Sequence, residues 1–166
     1  MTPRERFIAA LERRPITGRA PHFELVFFLT MEAFGRVHTS QLHFGQWDQM
    51  EEKERQLHRA YIAETHKLTA ERFEWDAIFF HPNPGGEDEA LRQIDALREK
   101  VGDEYFVMMH GDATMGIPSG EAMVEFSYRL ADEPEKVKAE ADAAVNRALE
   151  RGERFARHGG LDGWAL

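Results

Sequence analysis

Residues 75–86, WDAIFFHPNPGG, decide the fold of this chain. A run of strand character over residues 77–80 closes on His81 and is followed at once by a Pro-Asn-Pro-Gly-Gly segment that ends regular structure. A continuous apolar run of this kind is typical of a strand covered on both faces of a parallel sheet. Amphipathic helical patterns lie on both sides of it. The sequence therefore predicts an α/β protein whose polar side chains begin where this strand ends.

The composition indicates one domain with a real core and no apolar stretch that would span a membrane. The chain has 166 residues, of which 42% are hydrophobic and 31% charged. The first residues, MTPRERF, are charged rather than signal-like, and the absence of cysteine excludes disulfides and thiolate metal sites. We therefore expect a cytoplasmic protein.

The charge balance argues against a nucleic-acid partner. Lysine and arginine together number 21 and aspartate and glutamate 30, which gives a formal charge of -9. The basic residues are scattered rather than gathered in a stripe that would neutralise phosphates. We expect no nucleic-acid and no membrane partner, but a small-molecule substrate.

Further elements follow from hydrophobic periodicity and cap residues. A helix capped by Thr2 is predicted to end near Arg14, and strands are predicted near 21–28, 76–81, 105–110 and 162–166. Longer helices are predicted over 46–73, 87–101, 119–130 and 134–157, and residues 29–45 form a long loop with a helical turn at 31–34. The fourth strand has no helix after it, which indicates an incomplete domain.

Several stretches resemble the uroporphyrinogen decarboxylase superfamily, which also contains corrinoid and coenzyme M methyltransferases. The resemblance spans the whole chain and is carried by these segments: MTPRERFIAALERRP (1–15), PHFELVFF (21–28), RFEWDAIFFHPN (72–83), YRLADEPEKV (128–137) and ARHGGLDGWAL (156–166). Members of this superfamily are (β/α)8 barrels roughly twice as long. The resemblance thus implies that residues 1–166 are one domain, the first half of a TIM-type barrel, truncated after its fourth strand.

The resemblance also implies an enzyme, a lyase or methyltransferase acting on a tetrapyrrole or on a corrinoid-carried methyl group. For the cofactor, the resemblance leaves three alternatives: none, a divalent metal ion, or a corrinoid. The decarboxylase itself carries an arginine-containing RQAGR motif after its first strand, but residues 26–30 here, VFFLT, contain no arginine. Asn83 stands where the decarboxylase has an aspartate that holds the pyrrole N–H groups. We therefore expect a divergent or methyltransferase-like member.

Three local patterns place an imidazole and an oxygen-bearing side chain on one face of a strand: His22-x-Glu24, His81-x-Asn83 and His110-x-Asp112. If the strands are neighbours, the second and third pairs converge at one rim, where barrel enzymes keep their catalytic groups. The predicted catalytic residues are therefore His81, His110 and Asp112, and the same three side chains are candidate ligands of a divalent metal. The predicted substrate-binding residues are Asn83, Glu24 and Tyr128.

Each of these residues also has a purely structural interpretation. Histidines and carboxylates at strand ends bind loop backbone groups, and Asn83 between two prolines is typical of a turn. Tyr128 sits on a helix where packing and a surface ion pair explain it better than substrate contact, and His22 lies at the opposite end of its strand. His38 and His43, in the long loop, are expected to be exposed to solvent.

The second functional hypothesis is non-catalytic. A half-barrel would leave two open sheet edges, which proteins rarely leave uncovered. The chain would then be a fragment, or a module that completes its sheet with a second copy or a partner half-barrel.

Overall fold

The computed structural model describes residues 1–165 as a mixed α/β structure with a small parallel sheet. The helices and strands are, in chain order, α1 (Pro3–Leu11), α2 (Thr30–Phe34), α3 (Glu52–Arg72), β1 (Ala77–Phe80), α4 (Glu87–Val101), β2 (Phe106–His110), α5 (Glu121–Asp132), α6 (Pro134–His158) and β3 (Gly163–Ala165). Two 3₁₀ turns, Thr39–Gln41 and Trp47–Gln49, lie in the long loop. Within residues 1–165, no helix combines the length and apolarity that a membrane crossing requires.

The sheet has the order β1-β2-β3, with both neighbouring pairs parallel. Ala77 pairs with Phe106, and Met108 pairs with Gly163, so the carboxyl ends of β1 and β2 lie at the same edge. Three of the four predicted strands are therefore confirmed, although Leu166 of the predicted strand 162–166 lies outside the described residues.

The predicted first strand, residues 21–28, is wrong as a strand. The segment runs extended beside the free edge of β1 and makes a main-chain bond there, from Asp76 N–H to the carbonyl of His22 at 2.9 Å. Other backbone groups of the segment are taken by side chains, because Asp76 accepts from the His22 N–H (3.0 Å) and His81 bonds the Leu25 carbonyl (2.7 Å). The segment 21–28 therefore does not pair with β1 as a further strand of the sheet.

The helix boundaries follow the predicted patterns closely. Thr2 and Glu5 form the expected capping box at the start of α1, and α4 has its predicted bounds. The predicted helix over 46–73 is interrupted at Met50, which has an extended backbone between the second 3₁₀ turn and α3. Glu51 caps α3 there through a capping box with Glu54.

The two faces of the sheet bury different clusters. One face packs against α3 and α4 through Ile78, Phe80, Val107 and Met109, together with Phe155 of α6. The opposite face, which we call the inner face, is lined by Ala77, Phe79, Phe106 and Met108 and is covered by Phe7 of α1. Side-chain alternation along the strands assigns each residue to its face.

Helix α5 packs only loosely on the rest of the structure. Within the described residues it buries no side chain, and its apolar residues Met123, Val124, Tyr128 and Leu130 are 47–66% exposed. Val145 and Leu149 on the neighbouring α6 are also about half exposed. The α5–α6 pair therefore presents an uncovered apolar surface.

Candidate functional site

The ring of Phe79 lies close to both predicted catalytic histidines at the carboxyl ends of β1 and β2. Its centroid lies 5.1 Å from that of His81 and 5.9 Å from that of His110, with the second pair perpendicular. Phe79 belongs to the inner face, so the two imidazoles flank an apolar wall on that face. The two strands are parallel neighbours, as the sequence-based prediction of a common rim requires, and the catalytic roles of the histidines stay a prediction.

Asp112 is held in a turn beyond β2. Its Oδ1 accepts hydrogen bonds from the backbone N–H (2.6 Å) and the hydroxyl of Thr114, and these bonds lower the pKa of the exposed carboxyl. Its Oδ2 lies 4.0 Å from Nε2 of His110, while Nδ1 of His110 accepts from the Asp112 N–H at 3.1 Å. Asp112 thus stays ionised beside an exposed imidazole, a pair suited to proton transfer.

A second group of histidines surrounds a cavity beside the edge of β1. The cavity measures about 20 Å³, which is room for about one water molecule. His81 and Glu24 line it, and so do two histidines that sequence reasoning did not place in the site, His38 and His66. Four threonines complete its polar lining: Thr30, Thr39, Thr65 and Thr69.

Hydrogen bonds fix which nitrogen of each imidazole carries the proton when the ring is neutral. Nδ1 of His66 lies 3.0 Å from the Ile62 carbonyl and must donate, which leaves Nε2 as an acceptor. Nε2 of His81 likewise donates to the Leu25 carbonyl. Nδ1 of His38 accepts from the Ser40 N–H at 3.2 Å, so its proton is on Nε2. The group therefore offers both a proton donor and proton acceptors.

Burial sets the charge of these histidines. It lowers the pKa of His66 to about 4, because the hydrogen bond to Ile62 offsets only part of the desolvation and His81 and His38 add repulsion. Burial, followed by repulsion from His81, also lowers the pKa of His38, which is only 7% exposed. The expectation that His38 is exposed to solvent is therefore wrong. Both rings are mainly neutral near pH 7.

Asn83 has a structural role in the observed geometry. Its side-chain amide donates to the carbonyls of Thr39 and Leu42, and its backbone N–H donates to Gln93 at 3.0 Å. It therefore anchors the long loop over the end of β1, as the turn interpretation holds. Its amide N–H groups face the loop rather than a pocket.

The other predicted residues lie apart from the histidines. Tyr128 is 66% exposed on α5 and lines a shallow depression formed by α5 residues alone. His22 contacts Arg19, Asp76 and the Phe73 carbonyl at the opposite end of β1. Among residues 1–165, no three histidine or acidic side chains converge closely enough to hold a metal ion. The candidate metal set of His81, His110 and Asp112 is therefore not assembled.

Sequence reasoning missed two aspartates at the amino ends of strands, the buried Asp76 and the partly buried Asp162. Asp76, which directly precedes β1 and is completely buried, is bonded by the guanidinium groups of Arg6 and Arg19. Asp162, which directly precedes β3, is bonded by Arg4 and Arg98. An aspartate at the first position of two of the predicted strands, 76–81 and 162–166, was the available signal.

Comparisons with known proteins give no match: no family model, no curated protein and no solved structure is similar to this chain.

Proposed function

We propose that this chain carries the site-bearing half of a uroporphyrinogen decarboxylase-like (β/α)8 barrel, an enzyme that acts on a tetrapyrrole or on a corrinoid-carried methyl group. The observation that supports it most is the placement of His81 and His110 next to Phe79, at the carboxyl ends of neighbouring parallel strands. Active sites of barrel enzymes lie at this end of the sheet.

The chemistry available there is general acid–base catalysis over an apolar wall. Imidazoles exchange protons near neutral pH, and the ionised Asp112 carboxylate lies 4.0 Å from Nε2 of His110. Phe79 and Met108 are buried under α1, so they support the two imidazoles from within the core and leave the histidines as the groups that meet a substrate. In this proposal His81 and His110 donate and accept protons, and Asp112 supports His110.

Ligand titration of the full chain tests the proposal. Uroporphyrin, as a stable tetrapyrrole, and methylcobalamin are titrated separately while the absorbance band of each probe is followed. We expect saturable binding of one of them and at least tenfold weaker binding in His110→Ala and Asp112→Ala. His43→Ala, a histidine outside the rim and the cavity, is the matched control. Equal affinity in both rim variants and the control rejects the site.

The second candidate is a module that associates with another copy or with a partner half-barrel. The uncovered apolar residues of α5 favour it, especially Val124 and Tyr128 at 53% and 66% exposure. The sheet edge is a poorer probe, because Ala165 packs against the inner-face cluster and a charge there would disturb the core. Light scattering on the wild type and on Val124→Glu separates the possibilities. A dimer that becomes a monomer in the variant supports association, and a monomeric wild type excludes a homodimer.

A further inference from the structure

Trp164 of β3 is inserted between the exit of β2 and helix α6, on the opposite face of the sheet from His110. Its indole lies against Gly111 and Gly152, where a Cβ at Gly111 would overlap the ring. Its ring centroid is 5.4 Å from that of Phe155, and the guanidinium of Arg151 lies 5.6 Å from the indole centroid. The indole and the guanidinium therefore form one fixed unit.

Two N–H groups in this unit are buried without a partner in the described part of the chain. These are Nε of Arg151 and Nε1 of Trp164. A buried donor without an acceptor costs on the order of 1–3 kcal/mol, so such groups are normally satisfied by protein, water or a ligand. Both residues line a cleft of about 350 Å³ at the rim of the sheet, a volume within the range of small-ligand sites.

The two arginines that line the cleft, Arg147 and Arg151, form no ion pair within residues 1–165. Arg147, one helical turn before Arg151, also lines it. Within residues 1–165, the ion pairs of α6 involve Arg154, Glu140, Lys136 and His158, and neither Arg147 nor Arg151 takes part in one.

The two acidic residues of the cleft are already engaged elsewhere. Glu87 is paired with Arg154 at 2.7 Å, and Asp112 accepts from Thr114 and faces His110. The cleft thus combines two guanidinium groups without an anionic partner and a buried indole N–H. Guanidinium groups bind carboxylate and phosphate through paired hydrogen bonds.

We propose that this cleft is an oxyanion-binding site in which the guanidinium groups of Arg151 and Arg147 hold a carboxylate or phosphate group of a small molecule beside the wall formed by Trp164. The cleft borders the histidine rim at Asp112, but its arginines and Trp164 lie on the face of the sheet that packs on the helices, whereas Phe79 belongs to the inner face. The proposal therefore stands whether or not the proposed function does.

The indole N–H of Trp164 is a direct reporter of occupancy in the full-length chain. Inorganic phosphate and succinate are titrated separately into 15N-labelled protein at constant ionic strength, with sodium chloride as the blank, and the Nε1–H resonances of Trp47, Trp75 and Trp164 are followed. We expect a saturable shift of the Trp164 resonance with at least one of the two anions, and little shift of the other two. Saturation by phosphate, by succinate or by both identifies the oxyanion class; saturation by neither overturns the proposal.

Two arginine substitutions complete the test. Arg151→Met keeps the stem that packs on Trp164, and Arg147→Gln changes only an exposed side chain. Each is expected to weaken binding at least tenfold, whereas Arg157→Met on the same helix, outside the cleft, leaves it unchanged. If Arg151→Met does not fold, Arg147→Gln decides. An unchanged titration in Arg147→Gln, or an equal loss in Arg157→Met, rejects the site.

Discussion

Arg4 donates two hydrogen bonds to Oδ1 of Asp162, from Nη2 at 2.7 Å and from Nε at 3.1 Å, although 158 positions separate the two residues. Oδ2 of the same carboxylate accepts from Arg98 at 2.6 Å and from the Val107 N–H at 2.9 Å. Burial opposes ionisation of Asp162, but these hydrogen bonds outweigh it and hold its pKa below the usual value. One carboxylate thus fastens α1, α4 and β2 to β3.

Asp162→Asn should destabilise the fold by about 2–3 kcal/mol, because it leaves two partly buried guanidinium groups without their counter-charge. Urea unfolding followed by circular dichroism measures the change. Asp142→Asn, an exposed aspartate of α6, is the control and should remain within about 0.5 kcal/mol of wild type. Equal unfolding midpoints for the two variants would show that the network contributes little.

The helix boundaries were predictable because their signals are local. The capping box at Thr2 and Glu5 and the periodic stripe of residues 87–101 require no knowledge of distant contacts. The strand at 21–28 was not predictable in the same way. Its apolar pattern fits a strand, but whether it pairs depends on Asp76 and His81, which lie about fifty residues away and take up its backbone groups.

The same contrast between local signals and distant contacts explains which residues of the candidate site were predicted. His81 and His110 were found because each ends a predicted strand, and parallel neighbours bring such ends together. His38 and His66 were missed because a loop and a helix deliver them to the cavity beside β1. Their sequence neighbours give no indication of burial, since a single histidine on a helix surface has the same local pattern whether or not a loop covers it.

The desolvated imidazole of His66, a residue that is partly buried on α3, should make stability depend on pH. Its pKa is about 4 in the folded chain and near 6.5 when unfolded, so the unfolded state binds more protons between these values. The contribution of neutral His66 is therefore fully present above pH 6.5 and is lost as the pH falls towards 4. The shift corresponds to about 3 kcal/mol.

Substitution separates this effect from the titration of carboxylates. His66→Asn retains a donor for the Ile62 carbonyl without an ionisable ring. Urea unfolding at pH 7.0, 5.5 and 4.5 should show a shallower loss of stability on acidification in this variant than in wild type. His158→Asn, a histidine at the end of α6, should retain the wild-type slope. Parallel pH profiles for His66→Asn and wild type would contradict the assigned pKa.

The buried pair of Arg59 and Glu89 joins α3 to α4. Nε and Nη2 of Arg59 each lie 2.7 Å from one oxygen of Glu89, a two-point contact between groups that are 5% and 9% exposed. Glu89→Gln should cost about 3 kcal/mol, because the guanidinium stays buried beside a neutral amide. Chemical denaturation compares this variant with Glu99→Gln, an exposed glutamate on the same helix. Similar losses of unfolding free energy in the two variants would show that the Arg59–Glu89 pair does not contribute more to stability than an exposed glutamate.

Gly111 is required for space rather than for backbone conformation. It directly follows β2, its N–H donates to the Ala165 carbonyl at 2.7 Å, and a Cβ there would overlap the indole of Trp164. Trp164 has little room to move away, because Gly152 and Phe155 of α6 pack on it. Gly111→Ala should therefore displace the indole and destabilise the chain by about 1–3 kcal/mol, as overpacking does elsewhere.

Gly116 supplies the matched control in the same loop. A Cβ there meets no atom within 4 Å, so Gly116→Ala should change stability by less than about 1 kcal/mol, or raise it slightly by restricting the unfolded chain. Thermal unfolding of both variants, together with the near-ultraviolet circular dichroism of the tryptophans, distinguishes the two cases. A native tryptophan signal and an unchanged melting temperature in Gly111→Ala would mean that the indole does not occupy the space beside β2. The proposed oxyanion cleft would then lose its wall as well.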